Sequence, residues 1–555
     1  MNEILEQAID GVSRVSDLRL YGHVRAIQGM LIEIEGLGAR LSVGDRCQLD
    51  VRNLPPVICE IVGFRDDRAL AMPFGPLDGV GLGCRAMIGE SQPVAFPDSG
   101  WLGRVINAFG DPIDSGPALP KGPVAYPLKA SPPPAHQRQR VAGKIDLGVR
   151  ALNTFITCCR GQRMGIFSAS GVGKSVLMSM LSRYSQADVI VIGLIGERGR
   201  EVKEFIEEDL GAEGLAHSVL VVATSNESPL MRRQAAQMTM TVAEYFRDQG
   251  HDVLCLMDSI TRFAMAQREI GLSAGEPPAS KGYTPTVFAE MPKLLERAGP
   301  GVGVGTITGL FTVLVEGDDH NEPISDSVRG IVDGHIVLDR AIAQRNRYPA
   351  INILKSVSRS LPACNTPAEN DIIDKAKALM AVYEDMAELI RLGAYRHGSD
   401  PQVDEAIRYH QGMEAFLAQE KGERAILQEG YGQLAQILEM PVETPGASKG
   451  SFEVSGSEKS TIAGAGEPSG IASDDPALIV SEPELTKAAG ISTARGAAEA
   501  STVLSDAVAT VDTIPITNQP ADVNLTPRSQ NPKNSMPLSK GEDENPGIPR
   551  EEPVK

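Results

Sequence analysis

Between Trp101 and about Ser360, strand-like runs rich in Val, Ile and Leu alternate with stretches of helical character. Runs that are apolar throughout are typical of strands buried on both faces, and their alternation with helices predicts a mainly parallel sheet. Functional residues of such sheets gather beyond the carboxyl ends of the strands. The runs are Met164–Phe167, Val189–Ile195, Val219–Ala223, Val253–Met257, Thr306–Val315 and Gly334–Leu338.

The region before this sheet, from about Val15 to Gly89, has a different pattern. Short β-rich runs are separated there by Gly, Pro and Asp, which is typical of a small antiparallel barrel. The runs are Gly22–Ile27, Met30–Glu35, Cys47–Val51, Val57–Val62 and Ala69–Pro73.

The region after the sheet is helical at first and then changes character. Apolar residues between Asp371 and about Leu438 recur at the spacing of amphipathic helices, which predicts a small bundle. The segment beyond Pro441 is rich in Ser, Gly, Pro, Ala and Glu, and it predicts disorder because it has little apolar surface to bury. We therefore divide the chain into residues 1–90, 91–360, 361–440 and 441–555.

Composition excludes several classes of protein. The 555 residues are 42% apolar and 23% charged, as in a globular protein of more than one domain. No apolar run approaches the roughly 20 residues that span a bilayer, and the acidic start Met1–Glu6 does not resemble a secretory signal. A net charge of −19 disfavours nucleic acid as the main ligand. Seven cysteines without a Cys-x-x-Cys pair, and eight scattered histidines, suggest neither disulfides nor a zinc site.

The segment Ser168–Ser175, SASGVGKS, follows the run Met164–Phe167 and precedes a helical stretch, Val176–Tyr184. A Gly-rich loop between a strand and a helix binds polyphosphates through backbone N–H groups and the helix N-terminus. Lys174 would reach the β and γ phosphates, and the Ser175 hydroxyl would coordinate Mg²⁺. The predicted nucleotide-binding residues here are Ser170, Gly171, Val172, Gly173, Lys174, Ser175 and Val176.

This loop departs from the usual G-x-x-x-x-G-K-[ST] pattern at one place. Ser168 stands at the position of the first glycine, and Ala169 follows it. If Ala169 needed a positive φ angle, the conformation would cost roughly 1 kcal/mol.

Two further strand ends carry acidic and basic residues. Asp258 ends the run His251–Asp258, where an acidic residue is the usual second holder of Mg²⁺ in sites of this kind. Gly196–Glu201, GERGRE, follows Val189–Ile195 and offers both a carboxylate to orient water and cations to absorb transition-state charge.

Four longer segments carry a resemblance to a known family. Gly193–Ile206, Met257–Ile270 and Val313–Asp319 resemble the catalytic segments of flagellum-specific protein-export ATPases, and Pro349–Arg359, PAINILKSVSR, is similar to the shared signature of rotary-ATPase α/β-type subunits. The resemblance covers about Val15 to Leu438. It implies a small N-terminal β-barrel, a RecA-like nucleotide-binding ATPase domain with a mainly parallel sheet, a C-terminal helical domain and a disordered tail.

The resemblance also implies roles for individual residues. Glu197 would polarise the attacking water, Arg198 would contact the γ phosphate, and Tyr348 would stack on adenine. Arg359 would act as an arginine finger supplied in trans to the nucleotide of a neighbouring subunit. Because one chain carries both Glu197 and Arg359, it could form a homohexamer in which every interface is catalytic, whereas a non-catalytic subunit would lack the glutamate.

Function and partners follow from the same resemblance. It implies hydrolysis of Mg-ATP to ADP and phosphate, in the cytoplasm and peripherally on the inner-membrane flagellar export apparatus, to unload or energise the export of flagellar proteins. The implied partners are a stator-like regulator, the membrane export gate, substrate–chaperone complexes and a stalk-like coiled-coil protein. The stalk would bear on the Gly- and Pro-rich loop Gly271–Pro285 at a central pore.

Three alternatives remain open from the sequence. The ATPase of a virulence injectisome has nearly the same motifs. A hexameric RNA-dependent translocase also joins a small β domain to such a core, although Tyr21, Phe64 and Phe74 are too far apart for a base-stacking platform. A nucleotide-binding regulatory module without turnover is the third.

Overall fold

The computed structural model describes residues 20–37, 40–89, 93–315 and 322–441, apart from the side chain of Ala142. The described residues belong to one unit of the chain, Met1–Ser451. The predicted disordered tail, residues 441–555, lies outside the described part of the chain from residue 442 onward. The end of the motif Val313–Asp319 lies outside it as well.

The N-terminal strands close into a barrel in the order β1-β2-β5-β4-β3-β6. Burial alternates along β1, and Ile32, Ile34 and Ile61 are fully buried inside the barrel. All five predicted runs form strands, and a sixth strand that was not predicted closes the barrel by pairing with β1 and β3. The strands are β1 Tyr21–Gln28, β2 Leu31–Glu35, β3 Arg46–Leu49, β4 Val57–Arg65, β5 Arg68–Pro73 and β6 Arg85–Ile88.

The central sheet has the strand order β19-β18-β12-β17-β15-β13-β14-β8, and β16 pairs with β17. All pairs along this order are parallel except β18 with β19, so the predicted mainly parallel sheet is confirmed. The short strand β8 and the antiparallel strand β19 were not predicted. The strands are β8 Arg104–Ile106, β12 Arg163–Ser168, β13 Val189–Glu197, β14 Ser218–Thr224, β15 Asp252–Asp258, β16 Gly299–Pro300, β17 Thr306–Leu314, β18 Gly334–Leu338 and β19 Ile351–Ser358.

Helices cover both faces of this sheet. Along β13, Ile190, Ile192 and Leu194 pack into one apolar core, and Val189 and Val191 pack into another on the opposite face. Burial on both faces explains why the strand is apolar throughout. The helices of this region are Arg150–Phe155, Lys174–Tyr184, Gly199–Glu204, a π-helix Phe205–Leu210, Gly211–Ala216, Pro229–Asp248, Ile260–Ala274, Pro285–Leu295, Pro323–Ile331 and Arg340–Gln344.

The C-terminal region consists of the helices Pro367–Arg391, Pro401–Leu417 and Leu427–Ile437. The first begins earlier than predicted, because Thr366 and Glu369 form a capping box around its N-terminus. Two short two-stranded sheets complete the described structure, formed by β7 Val94–Ala95 with β9 Tyr126–Pro127 and by β10 Ala142–Lys144 with β11 Cys159–Arg160. The predicted fold class is confirmed.

A buried ion cluster joins the barrel to the central sheet. Glu60 of β4 is 4% exposed and pairs with Arg233 of the helix Pro229–Asp248, while Lys129 Nζ lies 2.8 Å from its Oε1 atom. Burial raises the pKa of Glu60, but Arg233 and Lys129 lower it more, so the carboxyl group has a net lowered pKa. No helix in the described part of the chain has the length and apolar character needed to cross a membrane.

Candidate functional site

The segment Ser168–Ser175, here called the phosphate loop, runs from the end of β12 into the helix Lys174–Tyr184. Gly171 and Gly173 have φ angles of 78° and 97°, in the left-handed region where glycine carries no steric penalty. Ala169 has no positive φ, and its methyl group packs into the apolar core. The cost considered for this substitution therefore does not arise.

Burial within the phosphate loop fixes its conformation. Val172 is 1% exposed and packs into the core, whereas Ser170, Gly171 and Ser175 are exposed. The buried Val172 side chain anchors the loop to the core, while the backbone of the neighbouring residues stays open to a ligand. The following helix adds its N-terminal N–H groups and positive dipole end.

Lys174 brings together the ends of two other strands. Its Nζ atom lies 2.6 Å from Asp258 Oδ1, at the end of β15, and 3.2 Å from Glu197 Oε1, at the end of β13. Burial lowers the pKa of Lys174, but these two carboxylates raise it more, and the net pKa is raised. Three residues predicted separately from sequence thus meet at one point, with the ammonium group held in its charged form.

Backbone geometry places Glu197. The β13–β14 register shifts between Ile195 and Glu197, and Gly196 at the shift has a φ angle of 73°. A Cβ atom at Gly196 would lie 3.0 Å from Arg262 Cβ, so the bulge requires glycine for both conformation and space. The bulge sets the direction in which the strand end presents its carboxylate.

Thr312 belongs to the site and was not predicted. Its Oγ1 atom donates a 2.7 Å hydrogen bond to Asp258 Oδ1, the oxygen that Lys174 also contacts. On the same edge, Leu314 N donates to Thr261 Oγ1 over 2.9 Å. The sequence offered one signal for Thr312, a hydroxyl group near the carboxyl end of the apolar run Thr306–Val315. A buried hydroxyl needs a hydrogen-bond partner, so its position indicated a polar neighbour at that edge of the sheet.

The oxygen atoms at this edge of the sheet suit Mg²⁺. Ser175, Glu197 and Asp258 line one cavity of about 90 Å³ together with Glu201, Glu204 and Asp209, and we call it the carboxylate cavity. Hydroxyl and carboxylate oxygens are the ligands that Mg²⁺ prefers. Ser175 and Asp258 are therefore suitably placed to hold the ion beside a polyphosphate.

Arg198 lies apart from this group. Its side chain is 75% exposed, and its Nη1 atom lies 3.5 Å from Glu201 Oε1. The residue is the N-cap of the helix Gly199–Glu204, in extended backbone conformation, and its side chain pairs with Glu201 of that helix. A contact between Arg198 and a γ phosphate stays a prediction.

Tyr348 borders the phosphate loop. A Cβ atom added to Gly173 would lie 3.2 Å from Tyr348 Cε1, and the ring is 36% exposed. The backbone of the tyrosine is held by Gln419, whose N–H donates to Tyr348 O over 2.8 Å. The ring thus presents a partly open face next to the loop, where a nucleotide base could stack.

Arg359 is distant from the other predicted site residues. It is exposed, and it directly follows the last residue of β19. Its N–H donates to Asp333 O, and the Asp333 carboxylate binds Arg163 at the start of β12. Arg359 therefore lies at the amino edge of the parallel sheet, whereas the phosphate loop lies at the carboxyl edge.

Comparisons with known protein families agree with this geometry. The family described as the ATP synthase alpha/beta family, nucleotide-binding domain, matches residues 148–358. The family described as the T3SS EscN ATPase C-terminal domain matches residues 366–436. The two matches cover the phosphate loop, all of the central sheet except β8, and the C-terminal helices.

Individual relatives extend the match over the barrel as well. The flagellum-specific ATP synthase of Caulobacter vibrioides is 58% identical over 441 residues, which are 78% of this chain and 99% of the relative. The type 3 secretion system ATPase of Xanthomonas euvesicatoria is 46% identical over 407 residues, which are 72% of this chain and 90% of the relative.

A solved structure has the same fold. The assembled ATPase EscN from enteropathogenic E. coli, in complex with its central stalk EscO, superposes with a TM-score of 0.69 at 38% identity. The match covers 75% of this chain and all of that one. By sequence, fold and site, this chain belongs to the family of flagellum-specific ATP synthases.

Proposed function

We propose that this chain hydrolyses Mg-ATP as the subunit of a homohexameric ring that serves flagellar protein export. The observation that carries the proposal is the convergence of Lys174, Asp258 and Glu197 at the carboxyl edge of the sheet, directly after the phosphate loop. Loop, ammonium group and two carboxylates are the parts needed to bind a nucleoside triphosphate and to orient a water molecule on it.

Each residue has a distinct task in this proposal. Lys174 and the N–H groups of the phosphate loop bind the β and γ phosphates. Glu197 accepts a hydrogen bond from the attacking water and aligns it with the γ phosphorus. Ser175 and Asp258 would hold Mg²⁺, which would neutralise charge on the phosphate oxygens. Arg359 of the neighbouring chain stabilises the charge that develops in the transition state.

Sequence identity favours the flagellar pathway over the injectisome. The chain is 58% identical to the flagellum-specific relative from Caulobacter vibrioides but 46% identical to the type 3 secretion ATPase from Xanthomonas euvesicatoria. We therefore keep the flagellar apparatus as the site of action. Expression of the chain in a Caulobacter strain that lacks its relative tests this, since a flagellar enzyme restores swimming and an injectisome enzyme does not.

The stalk-like partner is supported by the EscN–EscO complex. We propose that a coiled-coil protein contacts this chain in the same way, through the pore-facing loop Gly271–Pro285. We also propose the stator-like regulator, the membrane export gate and substrate–chaperone complexes as partners, with the ring bound peripherally at the inner membrane.

The catalytic assignment is tested with Glu197→Gln. The variant should bind a fluorescent ATP analogue like the parent and lose ATP hydrolysis by about 10³-fold, since a water-orienting residue acts mainly in the transition state. Glu35→Gln is the matched control, because Glu35 is a 48% exposed glutamate of β2 that lies outside the carboxylate cavity. Hydrolysis by Glu197→Gln at the parental rate would refute the assignment and favour a regulatory module.

A further inference from the structure

A π-helix lies beside the catalytic residues. Phe205–Leu210 follows the helix Gly199–Glu204, which itself begins directly after the strand end that carries Glu197. π-Helical turns are rare and frequently occur at functional sites. Leu210 and Phe205 are buried, and Asp209 between them lines the carboxylate cavity.

Two hydrogen bonds join this π-helix to the helix that follows the phosphate loop. Ser179 Oγ donates to Asp209 O over 3.0 Å, and Arg183 Nη2 donates to Glu208 O over 2.7 Å. Both acceptors are carbonyl groups of the π-helix. A movement of the π-helix would therefore be transmitted to the helix Lys174–Tyr184, which follows the phosphate loop.

The Asp209 carboxylate pairs with a lysine from the C-terminal region. Lys421 Nζ binds Asp209 Oδ1, across 212 residues of sequence. The Asp209 side chain is 16% exposed and the Lys421 side chain 39% exposed. The ion pair is a direct contact between the C-terminal region and the wall of the carboxylate cavity.

Lys421 is presented by a well-anchored segment, Ala418–Ala425, which we call the strap loop. Gln419 N–H donates to Tyr348 O, and Gln419 Nε2 donates to Gly148 O over 2.9 Å. Arg150 Nη1 donates to Ala418 O over 3.0 Å, and its other terminal nitrogen pairs with Glu423. The strap loop thus contacts Tyr348 at one point and the wall of the carboxylate cavity, at Asp209, at another.

We infer that Lys421 and Asp209 form a positioning pair that holds the π-helix in place and offsets the charge of Asp209 beside the γ-phosphate site. The inference rests on the proposed function, because it assigns a task near Glu197 and Asp258. Five carboxylates line the carboxylate cavity, and an unpaired Asp209 would add repulsion where negative charge develops in the transition state. Lys421 does not touch the substrate in this account and acts through Asp209.

Position distinguishes this pair from an ordinary surface ion pair. Partly exposed pairs contribute little to stability, so the loss of Lys421 should change folding only slightly. The loss of Lys421 should instead affect the catalytic step. The pair lies at the wall of the carboxylate cavity, and the electrostatic change would act on Glu197 and Asp258, which take part in hydrolysis in the proposed function.

The test compares Lys421→Met with a matched control, Lys375→Met. Lys375 pairs with Glu405 over 3.2 Å, and its side chain is 35% exposed, close to the value for Lys421. Lys421→Met should lower kcat about tenfold, ~1.4 kcal/mol in activation free energy, with a change in KM below about threefold. Lys375→Met should leave both constants and the melting temperature near those of the parent.

Two further variants separate positioning from a general structural role. Lys421→Arg keeps the charge and should retain most of kcat. In an Asp209→Asn background, Lys421→Met should cause little further loss, because the charge that it offsets is already absent. The inference is overturned if Lys421→Met has the parental kcat, or if its loss of kcat equals that of Lys375→Met. It is also overturned if the loss of kcat in the Asp209→Asn, Lys421→Met double variant equals the product of the losses in the two single variants. Hydrolysis by the parent and the control shows in the same assay that the proposed function itself holds.

Discussion

Arg359 and Lys174 lie at opposite edges of the same parallel sheet. Ser358 pairs with Gly334 of β18, whereas Ser168, at the start of the phosphate loop, pairs with Leu338 four positions further along that strand. At 3.3 Å per residue the two levels are separated by about 13 Å along the strands. The exposed guanidinium of Arg359 therefore lies away from the phosphate loop of its own chain, as a finger supplied in trans requires.

Lys174→Ala should abolish nucleotide binding. The substitution removes the ammonium group that we propose contacts the phosphates, and it leaves the Asp258 and Glu197 carboxylates without their shared cation. We expect affinity for a fluorescent ATP analogue to fall at least about 100-fold, ~2.7 kcal/mol. Lys203→Ala, at a 72% exposed position, is the control and should bind like the parent. Unchanged affinity of Lys174→Ala would contradict the phosphate assignment.

Thr312→Val should weaken the binding of the Mg²⁺ that hydrolysis needs. The variant deletes the 2.7 Å hydrogen bond to Asp258 Oδ1, so the carboxylate loses part of its orientation. The Mg²⁺ concentration for half-maximal hydrolysis should rise by about 10-fold or more, in keeping with the loss of a residue that orients a metal ligand.

The control for this variant is Thr308→Val on the same strand. Thr308 is also buried, and its hydroxyl accepts a hydrogen bond from Gly161 N over 3.0 Å, far from Asp258. It should lower the free energy of unfolding by about 1–2 kcal/mol without a change in the Mg²⁺ requirement. Equal Mg²⁺ curves for the two variants would show that Thr312 has only a structural role.

Arg233→Met should destabilise the junction between barrel and sheet. It removes one of the two cations that pair with Glu60 in the cluster described above and leaves the buried carboxylate with Lys129. Breaking a buried ion pair in this way costs about 3–5 kcal/mol. Urea unfolding at neutral pH measures the loss. Glu35→Gln, which removes an exposed pair with Arg25, is the control and should cost less than about 1 kcal/mol.

The same cluster predicts a pH dependence. Because Glu60 has a lowered pKa in the folded chain, its contribution to stability is complete above the unfolded value of about 4.5 and is lost as the pH falls through the folded value. As the pH falls below about 4.5, the parent should therefore lose more free energy of unfolding than Glu60→Gln does. Parallel losses in the two proteins would contradict the assigned pairing.

The residues that sequence predicted well are those at the ends of strong strands. Glu197 and Asp258 each close an apolar run, and parallel strands bring such ends to one edge, so their meeting with Lys174 followed from local pattern alone. The barrel was also predicted from local pattern, namely from short β-rich runs separated by Gly, Pro and Asp. Strand β8 escaped prediction because three residues are too few to show a period.

Contacts between distant segments had no sequence signature. Lys421 and Asp209 are 212 positions apart, and neither lies in a motif, so only the packing of the C-terminal helices against the sheet brings them together. The antiparallel course of β19 was hidden for a related reason. Its signature PAINILKSVSR predicts family membership, but the direction of pairing depends on how the short helix Arg340–Gln344 connects β18 to β19.

Arg359→Ala should retain nucleotide binding and lose turnover. The variant leaves the phosphate loop of its own chain intact, because Arg359 lies at the other edge of the sheet. A finger in trans is worth about 10³–10⁵ in rate, so hydrolysis should fall by at least about 10³-fold. Arg396→Ala, another exposed arginine, is the control and should hydrolyse ATP like the parent.

Mixing two inactive variants tests the shared site most directly. Glu197→Gln chains supply a finger but no water-orienting carboxylate, and Arg359→Ala chains supply the carboxylate but no finger. If the finger acts in trans, an equimolar mixture should recover about one quarter of parental hydrolysis, since one interface in four in a random ring combines both intact residues. A mixture as inactive as each variant alone would contradict catalysis between neighbouring chains.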